Sequence, residues 1–172
     1  MFSVALWQKK IKMIKEIVTQ SELITSVDIL RKSFGTVAEE FNLTKENCPT
    51  NAAFITIDKL KELKGKGIVF FGLFLQKRQI GFVALEKAGT DLFYLEKLAV
   101  LPEYRHNGYG EKLMDFCFDY AKNHNLKRIS IAIIDEHSIL KRWYIKYGFN
   151  ISRIKKFDHL PFTVCFMEKK VS

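Results

Sequence analysis

Residues 105–110 read Arg-His-Asn-Gly-Tyr-Gly, between the apolar run 93–100 and a helix-patterned segment that opens Glu111-Lys112-Leu113-Met114. A strand therefore feeds a glycine-bearing turn into a helix. The first amides of a helix have no intrahelical acceptor, and the helix dipole adds roughly half a positive charge there, so the turn is suited to hold a phosphate group. The plain alternative is a tight connection in which glycine only permits the turn. Two better-defined phosphate loops are excluded. A P-loop needs Lys and Ser or Thr after its last glycine, and a dinucleotide fingerprint needs a third glycine, where this chain has Glu111, Lys112 and Leu113.

A second chemical group lies on the strand before the loop. Strict alternation puts Leu92, Tyr94, Glu96, Leu98 and Val100 on one face, and Phe93, Leu95, Lys97 and Ala99 on the other. A carboxylate among hydrophobes is expensive to ionise, which would raise the pKa of Glu96 toward the range of a general base, acting on an ammonium acceptor directly or through water. Two other roles stay open for Glu96: a structural ion pair with a lysine, or a substrate contact. Tyr94 is expected to line the same cleft.

Further along, residues 140–149 read Leu-Lys-Arg-Trp-Tyr-Ile-Lys-Tyr-Gly-Phe, a short helix pattern closed by a glycine. Together the two segments resemble the GNAT superfamily of acetyl-CoA-dependent N-acetyltransferases. Its pyrophosphate loop, Arg/Gln-x-x-Gly-x-Gly/Ala, is matched by Arg105, Gly108 and Gly110. The preceding Leu98-Ala99-Val100 and the later Tyr144-x-x-x-Gly148-Phe149 match as well. The resemblance is specific over residues 91–150 and merely compatible over 13–90 and 151–172. One position departs from the pattern, since many members carry Asn seven residues before that tyrosine and this chain has His137.

The resemblance implies acetyl-CoA as cosubstrate. Its pyrophosphate would sit on the amides of the loop, with His106, Asn107 and Tyr109 beside Gly108 and Gly110. Pantetheine would lie along Leu98, Ala99 and Val100 like an added strand, with the thioester carbonyl accepting from a backbone N–H near Leu98. Such a donor is worth about 2.7–4 kcal/mol in other acyl-transfer sites. Tyr144 is the counterpart of the family's general acid, protonating the departing thiolate, and Tyr147 is the weaker candidate. A tyrosine on a short amphipathic helix is otherwise core. Arg105 either binds a phosphate oxygen or braces the loop. His137 either contacts the pantetheine or adenine side or simply starts a helix.

The elements that must position these groups can be read from periodicity. A first strand is expected over residues 14–19, then a helix over 23–34 carrying Leu23, Val27, Leu30 and Phe34, capped by Ser21 or Ser26 and interrupted or bent at Gly35. Helical character continues over 37–41, breaks at 47–51 and resumes as a turn or helix at 57–63. Three antiparallel strands follow at 68–75, 80–86 and 92–100, with turns at 76–79 and 87–90. A helix through Leu113, Phe116, Cys117, Tyr120 and Ala121 leads to a buried strand at 128–134, parallel to its neighbour. A helix at 138–147 and a hairpin of 149–154 with 162–167 close the chain. The expected fold is α/β (α+β), a GNAT-type mixed, mostly antiparallel twisted sheet of about six to seven strands flanked by helices.

The chain has 172 residues, 48% of them hydrophobic, with 15 Phe, which suits one domain. Residues 1–12 read as an N-terminal extension to a single domain over 13–172, because Met13 stands directly before the first strand. No apolar run reaches about 18 residues and no signal-like order opens the chain, so a cytoplasmic protein without membrane contact is expected. Cys48, Cys117 and Cys165 are far apart and read as buried apolar residues; neither a disulfide framework nor a metal site is expected. The net charge of +9 raises a nucleic-acid reading. The lysines are scattered among acids and hydrophobes, as on a solvated surface, so no nucleic-acid partner is expected.

The sequence therefore reads as an N-acetyltransferase that moves acetyl from acetyl-CoA to a primary amine, small-molecule or peptide, in a ternary complex, with a homodimer left open. The alternative is a catalytically inactive coenzyme A-binding regulatory or interaction domain. Glu39, Glu40 and Glu46 are candidates for attracting a cationic amine, against the ordinary reading that helical acids are solvated.

Overall fold

The computed structural model describes residues 14–172, so the expected extension over 1–12 lies outside the described residues. The chain runs β1 (Ile14–Glu16), α1 (Gln20–Glu40), α2 (Ile57–Gly65), β2 (Val69–Leu75), β3 (Arg78–Ala88), β4 (Leu92–Val100), α3 (Tyr109–Asn123), β5 (Arg128–Ile134), α4 (Ser138–Tyr147), β6 (Asn150–Lys156) and β7 (Thr163–Lys170). The strands form one seven-stranded sheet in the order β1-β2-β3-β4-β5-β7-β6. All neighbours pair antiparallel except β4 and β5, the parallel pair joined through α3. The expected closing hairpin forms, but β7 lies inside it, against β5, which leaves β6 at the edge.

Helices cover both faces. On one, α3 lays Phe116 and Tyr120 against Phe71 and Phe93, with ring centroids 4.8 to 5.8 Å apart. On the other, α1 packs on β3 and β4, and Phe70 of β2 meets Phe82 of β3 at 5.2 Å. Burial of such aromatic and aliphatic side chains is the main favourable contribution to folding, roughly 25 cal/mol per Å² of apolar surface. Gly81 is a point of close approach: a Cβ there would sit 3.0 Å from the Ala99 carbonyl and 3.1 Å from a Leu113 methyl. No helix among the described residues is long and apolar enough to cross a membrane.

Several local expectations are corrected. Strand β1 stops at Glu16, and Thr19, not Ser21 or Ser26, caps α1. The Thr19 hydroxyl accepts from the Glu22 amide at 3.2 Å while the Glu22 carboxylate accepts from the Thr19 amide at 3.0 Å. This reciprocal box satisfies two of the helix's unpaired donors at once. Gly35 does not interrupt the helix, which continues to Glu40. A helical glycine costs about 1 kcal/mol relative to alanine, and the buried Leu23, Val27, Ile29 and Leu30 outweigh it. Residues 57–65 are a true helix capped by Thr56. The β2–β3 turn shrinks to Gln76-Lys77, so β3 is longer than expected.

The cap of α1 has a pH signature. Glu22 also accepts from the Val18 amide and from Lys15 Nζ, both within 2.9 Å. Those partners, Lys15 first, hold its carboxyl down at about 2. A depressed folded-state pKa contributes stability that is complete above the unfolded carboxyl's value and fades as pH falls toward 2. Glu22→Gln is expected to destabilise the protein by about 1 kcal/mol at pH 7, with the deficit shrinking below pH 4.5. Denaturant melts of both proteins at pH 7 and pH 3 test this, and equal stability at pH 7 would refute it.

Candidate active site

The site begins where two strands part. Strands β4 and β5 pair only over Leu92 to Tyr94 with Arg128 to Ser130. Beyond that, Ile131 to Ile134 pair with β7 alone, and Leu95 to Val100 have a strand partner only in β3. The β5-facing edge of β4 is thus open main chain, able to accept an extended ligand. A bulge marks the parting. Ala84 opposes Glu96 but Phe82 opposes Ala99, so β4 holds one extra residue, and Lys97 is left-handed with φ 55°.

The bulge corrects the expected alternation. Opposed residues share a face, so Tyr94 and Glu96 stay together, but Ala99 joins them and Val100 turns to the face of Gly81. Glu96 is not enclosed by hydrophobes either: its side chain is 35% exposed and its Oε2 lies 3.1 Å from Lys97 Nζ. Tyr94, on the same face, is exposed. Sequence reasoning missed Lys97, since only the bulge makes consecutive side chains meet, and nothing in the residue type announces a bulge.

The loop at 105–110 has the geometry of an anion cradle. The Arg105 amide donates to Pro102 O and the Lys112 amide to Gly108 O. Between them, the amides of residues 106–111 donate to no protein acceptor among the described residues. His106 (φ 63°) and Gly108 (φ 78°) are both left-handed, a curl that makes successive amides converge. Gly108 is therefore needed for its backbone. Gly110 matters differently: a Cβ there would stand 3.6 Å from Trp143, so the loop and α4 meet at that point. Asn107 stitches the loop through its side-chain amide, bonded to Tyr104 O and Arg105 O.

Arg105 is bonded to α1 and to the end of β4. Its guanidinium spans Ser33 O at 2.7 Å and Thr36 Oγ1 at 3.0 Å on α1, while Nε reaches Val100 O at 3.4 Å. Burial pushes its pKa down from a value so high that the group stays charged. The Val100 carbonyl also accepts from Ser33 Oγ, so that end of β4 is tied to α1. Leu98 is half-buried and Ala99 is buried beside it.

The two tyrosines of α4 differ sharply. Tyr147 donates its hydroxyl to Asp115 Oδ1 at 2.6 Å, which commits its proton. Tyr144 is buried against Trp143 and Phe149 at 4.9 and 5.5 Å, and its hydroxyl has no protein partner among the described residues. Burial first, then the neighbouring Cys117, pushes the Tyr144 phenol up, so it is protonated at neutral pH. His137 caps α4: its Nδ1 accepts from the Leu140 amide at 3.3 Å, and its ring lies 5.4 Å from Phe41. Nδ1 as acceptor assigns the ring proton to Nε2. All three cysteines are buried and free. An open hollow of about 600 Å³ lies away from this site, at the outer hairpin beside Gly148, Ile151 and Lys169, and holds none of these groups.

Solved structures of the same architecture include the ribosomal-protein-S18-alanine N-acetyltransferase of Escherichia coli, 16% identical over 93% of this chain and 94% of that one, with TM-score 0.73. The PaiA N-acetyltransferase of Thermoplasma acidophilum, in complex with coenzyme A, is 21% identical over 92% and 99%, with TM-score 0.74. A GNAT family acetyltransferase of Elizabethkingia anophelis with acetyl-CoA bound is 15% identical over 92% and 97%, with TM-score 0.69. Likeness at such identity speaks for fold, not for the reaction. The sequence profile of the Acetyltransferase (GNAT) family matches residues 34–149, from the later turns of α1 to the end of α4, and the chain belongs to that family.

Proposed function

We propose that the protein transfers the acetyl group of acetyl-CoA to a primary amine by direct attack in a ternary complex. The observation that carries this reading is the junction of two open main-chain surfaces: the unpaired edge of β4 and the free amides of residues 106–111. The first suits a pantetheine arm and the second a diphosphate, and they are consecutive in the chain. A protein of the same fold from Thermoplasma, solved in complex with coenzyme A, supports coenzyme A as the ligand class.

In this mechanism Glu96 takes a proton from the acceptor ammonium, and the freed lone pair attacks the thioester carbonyl. The developing oxyanion is held by a β4 amide near Leu98, the amine's second proton leaves to solvent, and the C–S bond breaks. Tyr144 gives its proton to the departing sulfur and is reprotonated from solvent. Tyr144 is the better donor of the two tyrosines because its hydroxyl is not committed to a carboxylate. Direct attack needs no cysteine nucleophile, and the buried thiols fit that. Arg105 contributes by holding the loop's shape, and the amides supply the anion affinity.

Thiol release across an amine panel tests the reaction. Tyr144→Phe and Glu96→Gln are each expected to lower kcat by about 100-fold, the ordinary contribution of a positioned acid or base, without loss of coenzyme A protection against heating. Protection by acetyl-CoA with no thiol release for any acceptor would instead identify a binding domain without chemistry.

Arg105→Lys keeps the charge but loses the fork that spans Ser33 and Thr36. The variant is expected to raise KM for acetyl-CoA by about tenfold with kcat at saturation little changed, since a misplaced loop weakens binding before chemistry. An unaltered KM for acetyl-CoA would show that the brace does not hold the loop in its binding shape.

A further inference from the structure

Five non-glycine residues among those described have positive φ: Asn42, Gln76, Lys97, His106 and Asn125. Four lie in turns or loops; Lys97 alone stands inside a strand. A lysine has no intrinsic preference for the left-handed region, and such conformations persist where the surroundings enforce them, commonly at functional sites. In a regular strand consecutive side chains point to opposite faces. Here the left-handed turn brings the ammonium of Lys97 to 3.1 Å from the carboxylate of Glu96, with side chains 19% and 35% exposed. The fold therefore builds a partly sheltered pair of opposite charges where β4 has left β5, with exposed Tyr94 on the face of Glu96.

Sheltered charges tolerate exchange of partners far better than loss of one. A cationic amine that binds Glu96 either displaces Lys97 or shares the carboxylate through Oε1, and in both cases it leaves an excess positive charge beside that ammonium. A free α-amino acid carries an ammonium and a carboxylate about one salt-bridge length apart, so it can replace both members of the pair at once. Its ammonium takes Lys97's place at Glu96, and its carboxylate takes Glu96's place at Lys97. After the ammonium yields its proton to Glu96, the carboxylate still anchors the acceptor to Lys97 while the amine attacks.

Resting on the acetyl-transfer reading above, we propose that Lys97 is a specificity-determining residue that selects free α-amino acids, through their carboxylate, as the acceptor class. Polyamines and peptide N-termini lack a carboxylate next to the amine and are disfavoured.

The test compares each α-amino acid with its decarboxylated amine and with its carboxamide, by thiol release at saturating acetyl-CoA. Wild type is expected to show at least about tenfold higher kcat/KM for the amino acid, a difference chiefly in KM. Lys97→Met should collapse that ratio toward one, and so should Lys97→Asn, whose side chain tolerates the left-handed backbone. Lys97→Arg should retain most of the preference. Equal or better use of the amine or carboxamide by wild type overturns the proposal, with no variant required. A ratio unchanged in both Lys97→Met and Lys97→Asn overturns it as well, reducing Lys97 to a structural partner of Glu96. Thiol release from amines but never from amino acids sinks this inference alone, whereas no release from any acceptor sinks acetyl transfer with it.

Discussion

The parting of β4 from β5 is the constraint around which the molecule is organised. Buried backbone amides and carbonyls must find partners, yet this parallel pair keeps its register for only three residues. The extra residue at the Lys97 bulge explains the divergence, because a bulge bends its strand and increases the local twist. Strand β5 does not follow, since all seven of its residues are held by β7. One strand turns away, the other is pinned, and a main-chain edge is left open in the middle of a seven-stranded sheet.

Everything placed around that opening is held by contacts between elements distant in sequence. The loop at the start of α3 is tied down by Arg105, whose guanidinium reaches across to the Ser33 carbonyl and the Thr36 hydroxyl of α1. Trp143 of α4 closes on Gly110, so the helix bearing Tyr144 is referenced to the loop. Tyr147 fixes the other side of α4 by bonding to Asp115 on α3. The helix bearing Tyr144, the loop at 105–110 and the open strand edge are thus tied to one another, the kind of preorganisation that the proposed acyl transfer would require.

The net charge of +9 is spread over the surface, and within the site the charges are few and specific. Arg105 is occupied by oxygen acceptors of the protein, so in the proposed mechanism the loop's amides would supply the affinity for an anion. Glu96 and Lys97 neutralise one another on β4. The phenol of Tyr144 stays neutral because burial disfavours its anion. Each protonation state follows from local surroundings, with the overall charge contributing at most to the approach of a polyanionic substrate.

By itself the sequence determined most of the element types, the single parallel crossover, the glycine-bearing turn into α3 and the family. These follow from signals within a few residues of each other: strand and helix periods, the glycine at 108 that must be left-handed, and the glycine that ends α4. It also limited Arg105 and His137 to two roles each without choosing. Only tertiary structure brings Arg105 to Ser33 and Thr36, about seventy residues away, and the ring of His137, which caps α4, onto Phe41. The sequence already ranked Tyr144 above Tyr147 by position, and tertiary structure added a physical difference by supplying Asp115 to Tyr147. Tertiary structure also broke the alternation of β4. A bulge arises from the register a strand adopts against its neighbour, and register is a property of two segments together, which no local reading of either one contains.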